Sequence, residues 1–291
     1  MQSQFEPASG TRDFLAAEYE EREQTKAWAA HTGHNASATH RCYLALDLWL
    51  LGFVDQALQL DRETCALARE IGHPFTIEHA VDFSACLSHY CRLGGAVQAA
   101  AEEELAIATD QGFQLWHALG TLHKGVGILL QGSPEAALPI MLKGFSAFRA
   151  TGAGVRVHYY LGILADAYTQ LGRHAEARQA LDEGLAIAVK SDDRFFEAEL
   201  HRLKGELLLI APGDAVAAEA CFRQAIEIAR SQYSRAWELR AAMSLARLRQ
   251  RQGRGDEGCA ELAAVYGTFT EGFTTPDLID ATALLQGLST A

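Results

Sequence analysis

Glu199, Arg202 and Glu206 stand at i, i+3 and i+7, one face of a helix, and Arg240, Met243, Arg247 and Arg251 form a similar stripe about forty residues later. Two chemistries fit carboxylates and guanidiniums at that spacing. In the first, Glu199 and Glu206 pair with Arg240 and Arg247 of a neighbouring helix and tie the two together, the commoner fate of such charges. In the second, Arg202, Arg240 and Arg247 line a pocket and grip a carboxylate or phosphate, for which the planar guanidinium fork is suited. Trp49, Arg92, Tyr159 and Asp166 fall at equivalent positions of other helices. The candidate ligand- or peptide-binding face is therefore Trp49, Arg92, Tyr159, Asp166, Glu199, Arg202, Glu206, Arg240 and Arg247. It runs from apolar and aromatic through acidic to basic.

Other reactive side chains form no such pattern. Cys86, His89 and Cys91 suggest a metal cluster on paper, but Cys91 lies about 140° around a helix from Cys86, so the three do not converge. His31, His34 and His40 are too loosely spaced to hold an ion. Lys124 sits on an apolar helix where it should face the interior, and a buried ammonium requires a partner, with Asp166 the candidate. Gly33, Gly125, Gly127, Gly152 and Gly154 make no phosphate-cradling loop after a strand, and no Ser/His/Asp order stands out. The expectation is a non-enzyme with no cofactor and no metal.

Positioning these groups falls to helices. The 291 residues are 49% hydrophobic with only six prolines, enough for a large core, and strand-like alternation is nearly absent. A formal charge of −12 argues against a nucleic-acid surface, no apolar run is long enough for a membrane span, and nothing resembles a signal peptide. Six cysteines scattered through helical patterns read as reduced thiols, so the expected location is the cytoplasm. Asn35-Ala36-Ser37 fits a glycosylation sequon that has no meaning without secretion.

The segment from His158 to Ala188 shows how the helices are organised. Leu161, Leu164, Ala165, Tyr168 and Leu171 share one helical face, Gly172 ends it, and Ala177, Leu181, Gly184, Leu185 and Ala188 form a second stripe. Small residues at 177 and 184 let the two helices approach, with Leu181 between them. A closing glycine recurs at Gly52, Gly94, Gly132, Gly172, Gly213 and Gly253, in steps of 38 to 42 residues, and a small residue stands five positions beyond each. A fixed period of this size marks a helical solenoid. The pairs expected are 38–51 with 55–71, 75–93 with 96–111, 114–131 with 134–151, 155–171 with 174–190, 194–210 with 214–231, and 234–252 with 255–268. Residues 1–10 read as a disordered tail, 11–31 as a flanking helix, 32–270 as the six repeats and 271–291 as a capping helix opened by Thr275-Pro276-Asp277.

The Ala177, Leu181, Gly184 and Ala218, Phe222, Ala225 spacings resemble a lengthened tetratricopeptide repeat. Segments such as LWLLGFVDQALQL (48–60), FFEAELHRLKGELLL (195–209) and WELRAAMSLARLRQRQG (237–253) resemble the C-terminal repeat region of large bacterial signalling proteins. In those proteins it lies behind a nucleotide cyclase-like or DNA-binding domain and an ATPase module, and the maltose-regulon activator is of similar type. The resemblance implies an all-α, right-handed superhelix of about six helix pairs acting as a regulatory binding scaffold. Its partner would be a protein or peptide, or the rest of its own chain. Two alternatives stay open, a sensor for an anionic or polyhydroxyl small molecule and a self-assembly module.

Overall fold

The computed structural model describes residues 35–210 and 213–289, and the tail and flanking helix expected over 1–31 lie outside them. Among the described residues the chain is all-α, with thirteen helices and no strand. Six pairs follow one another, α1 (Ala36–Leu50) with α2 (Val54–Ile71), α3 (Pro74–Tyr90) with α4 (Gly94–Gln111), and α5 (Gln114–Leu130) with α6 (Pro134–Ala150). Then come α7 (Val157–Gln170) with α8 (His174–Ser191), α9 (Glu197–Ile210) with α10 (Ala215–Ser231), and α11 (Arg235–Arg251) with α12 (Gly255–Tyr266). A closing helix, α13 (Pro276–Ser289), packs on α11 and α12. The result is a superhelical solenoid.

Local chemistry sets the breaks. The sequon residue Asn35 is buried and caps α1, its side chain accepting from the Ala38 amide at 2.9 Å, and Asp214 caps α10 in the same way. Prolines open α3, α6 and α13, where a missing amide proton costs nothing. Five of the six expected closing glycines hold a left-handed backbone, from φ +70° at Gly172 to +92° at Gly52. The second repeat differs, because Gly94 is the first residue of α4 and Arg92, at φ +59°, takes the left-handed position. A non-glycine residue there is strained by about 1–2 kcal/mol.

Small residues allow the closest helix approach in the third pair. A Cβ on Gly144 would fall on the Leu122 backbone, and one on Gly125 would come within 3.1 Å of both the Met141 amide and the Ala137 carbonyl. Gly184 is less confined, with only ordinary contact to Leu200 and His158. Lys124 is exposed, contrary to the interior position expected of it, and the neighbouring His123 is the residue sealed inside.

The array curls until its last helices meet its first. Trp49 of α1 lies 4.6 Å, ring to ring, from Trp237 of α11, and Tyr90, Phe196 and Tyr159 extend the aromatic cluster. The turn after α12 touches the start of α2, where Glu271 accepts two hydrogen bonds from Gln56 and Asp55 accepts one from the Gly272 amide. Arg92 reaches Asp277 at 3.1 Å and Asp280 at 2.6 Å on α13.

Candidate functional site

Closure leaves a half-open central cavity of about 300 Å³ walled by α3, α5, α7, α9, α11 and α13. Of the expected face, Arg92, Asp166, Glu199, Arg202, Arg240 and Arg247 line it. Trp49 and Tyr159 do not, being 2% and 0% exposed and buried in the aromatic cluster. Glu206 stands outside the lining, half-buried, and accepts from the Ser244 hydroxyl at 2.6 Å. An apolar patch of Leu130, Ile163, Phe196, Leu203 and Met243 completes the wall.

Most of the charge in this cavity is already matched. Arg202 donates from Nε and Nη2 to the two Glu199 oxygens, both at 2.7 Å, a bidentate pair on one helix. Burial works against the Arg202 cation, yet Glu199, Glu206 and Asp166 around it hold its pKa above the ordinary arginine value. Arg240 donates from Nε to Asp277 at 2.8 Å and also reaches the Tyr90 carbonyl, with Glu199 3.7 Å away. Its guanidinium lies over the Trp49 and Trp237 rings at 5.4 and 4.9 Å. Asp277 thus bridges Arg240 and Arg92. These groups follow the tying chemistry expected for neighbouring helices, although Arg202 takes its acid from its own helix.

Two lining groups stand apart. Arg247 has no hydrogen bond or ion pair, alone among the four cavity arginines in the described residues. Asp166 has only the Gln170 amide at 3.0 Å, and burial raises its pKa even though Arg202 and Arg240 pull it down. His89, also on the wall, is held neutral because burial, then Arg240 and His123, push its pKa down to about 3. Its Nδ1 lies 2.9 Å from the Tyr159 hydroxyl.

A second polar group lies sealed beside the cavity, between α3, α4, α5 and the start of α7. Arg156, at φ +60° ahead of α7, donates to the Asp82 carboxylate and, at 3.0 Å, to the Cys86 sulfur. His123 Nδ1 meets Glu104 at 2.9 Å, and its Nε2 faces Cys86 Sγ at 3.9 Å. Burial, then Glu104 and Asp82, raise the Glu78 pKa to about 9, and burial raises that of Glu104 as well. Among the described residues Cys86 groups with Asp82 and His123. Sequence reasoning missed Asp277 and Asp280, which share one face of α13 at i, i+3, and Asp82 with Cys86, which are i, i+4 on α3.

Residues 157–231 match the tetratricopeptide repeat family. Over 239 residues the chain is 27% identical to an uncharacterized protein of Rhizobium meliloti (strain 1021), an overlap covering 79% of this chain but only 22% of that protein. The apo form of RapI superposes with a TM-score of 0.60 over 95% of this chain and 94% of its own, at 12% identity, and so shares the fold. The matched family is a repeat scaffold, and no catalytic family is indicated. No helix among the described residues is long and apolar enough to cross a membrane.

Proposed function

We propose that this chain is a non-enzymatic regulatory scaffold whose central cavity receives a small anionic effector. The single observation that carries this reading is Arg247, a guanidinium on the cavity wall without a partner among charges otherwise paired. A carboxylate or phosphate satisfies it bidentately, Asp166 receives a hydroxyl or amine, and the apolar patch covers the body of the ligand. The volume suits a compact metabolite rather than a peptide threaded across several repeats. An effector there touches α7, α9 and α11 while the clasp from Arg92 to α13 sits at the rim, so binding favours the closed superhelix over an opened one. A domain attached to either end would sense that difference, which is how a sensor segment of a longer signalling protein would work. The relative of which this chain spans 22% is long enough to carry such domains.

The test is a thermal-shift screen against nucleotides, sugars and organic acids. At a hundredfold excess over Kd one ligand class should stabilise by about 2.7 kcal/mol. Arg247→Ala should leave the ligand-free stability within about 0.5 kcal/mol of the parent and abolish the shift. A shift that survives in Arg247→Ala, or no shift across the panel, overturns the cavity reading and moves the weight to protein partners on the outer helices.

A further inference from the structure

The sealed group beside the cavity is one cation short. Glu78, Asp82 and Glu104 are all 0% exposed, and Arg156 is the only arginine or lysine that reaches them by an ion pair in the described residues. Four of their oxygens, both of Glu78 and one each of Asp82 and Glu104, are buried without a hydrogen-bond partner. Buried carboxylate oxygens left unmatched are costly, and a dication or protons must answer them.

We infer that Asp82, Cys86 and His123 form a binding site for a divalent transition metal of the zinc class. A carboxylate oxygen, the thiolate sulfur and a ring nitrogen from these three lie within 4.8 Å of one another and all are buried. Zinc takes this donor set, and tetrahedral bond lengths place a sulfur and a nitrogen ligand about 3.6 Å apart. Cys86 Sγ and His123 Nε2 stand at 3.9 Å, a few tenths of an ångström from that spacing. Glu104 on Nδ1 fixes the ring so that Nε2 is the free nitrogen, the outer carboxylate that metal-binding histidines commonly use. Arg156 hydrogen-bonds both the sulfur and the carboxylate, which orients the two ligands toward one point. A proton answers Glu78, and the metal's positive charge answers the sulfur and carboxylate ligands beside Arg156. Its three ligands are buried, so its role is structural, locking α5 onto α3 and thereby setting the curvature that closes the cavity.

The experiment expresses the whole chain with zinc in the medium, desalts it and measures metal by mass spectrometry. The expected result is about one zinc per chain, falling at least tenfold in Cys86→Ser and in His123→Gln and unchanged in Cys91→Ser, a position just past the end of α3. Cobalt loading of the unaltered chain gives an independent reading, with a sulfur-to-cobalt charge-transfer band and the visible bands of a tetrahedral site. A zinc-free parent, zinc retained in Cys86→Ser, or cobalt without the sulfur band overturns the assignment. The cobalt spectrum decides the matter even where a variant fails to fold.

Discussion

The central cavity and the sealed cluster share α3 and α5 and treat charge in opposite ways. In the cavity, most arginines and carboxylates are paired, and one guanidinium, Arg247, and one carboxylate, Asp166, are left without an ion pair. In the cluster, acids outnumber cations, and Glu78, Asp82 and Glu104 are all fully buried. A charge that solvent can reach is satisfied cheaply and can exchange its partner for a ligand. A buried charge needs a permanent counterpart, because the desolvation cost stays for as long as the chain is folded. One region is therefore suited to a visitor and the other to a resident.

Breaking the resident side should have the largest effect. Arg156→Met strips the only guanidinium from three buried carboxyls and should cost about 3–5 kcal/mol, on the order of 10 °C in Tm by calorimetry. A loss under about 1 kcal/mol would mean that water reaches the cluster, and the contrast would vanish. Arg240→Met removes hydrogen bonds to Asp277 and to the Tyr90 carbonyl at a side chain that is 10% exposed. It should cost about 2 kcal/mol. Red-shifted fluorescence from Trp49 and Trp237 would accompany it as the seam between α1 and α11 loosens.

Glu78 makes the comparison readable through pH. Its carboxyl rises from an ordinary 4.5 to about 9, so the folded chain keeps a proton that the unfolded chain releases. Stability is full below pH 4.5 and drains away as pH rises toward about 9. Glu78→Gln cannot titrate, so its Tm should fall less than the parent's on going from about pH 6 to about pH 9. Parallel curves would show that the proton is not held. The smallest effect belongs to Arg92→Ala, whose pairs with Asp277 and Asp280 are partly solvated. It should cost under about 1 kcal/mol, and the difference from the parent should shrink in high salt.

The period of the repeats was open to view in the sequence because closing glycines and small residues recur at fixed offsets, and each reports on its own turn. Arg92 broke that rule, since only the backbone reveals that it, and not Gly94, carries the left-handed angle. Six cavity residues were legible because helical spacing places Asp166, Glu199, Arg202, Arg240 and Arg247 on inward stripes, and Arg92 at the end of another. Trp49 and Tyr159 were read onto the same face, yet closure brings α1 against α11 and α7 against α3, turning an inner surface into a core. Curvature of that kind sums small rotations over many repeats, and no local pattern states it. The cluster was hidden for a related reason. Arg156 is 74 residues from Asp82, and His123 sits one position from Lys124, the residue that hydropathy singled out.

Closure has a consequence for how this chain can vary. An open solenoid gains or loses units at its ends with little harm, since each unit touches only its neighbours. Here Gln56 hydrogen-bonds Glu271 and Trp49 packs on Trp237, so the first unit is fitted to the last like the final stave of a cask. A duplication or deletion of about forty residues would leave every local interface intact and still destroy the fit. The number of repeats between Gln56 and Glu271 is thus fixed by that fit, and drift in length within the described residues should be confined to the turns.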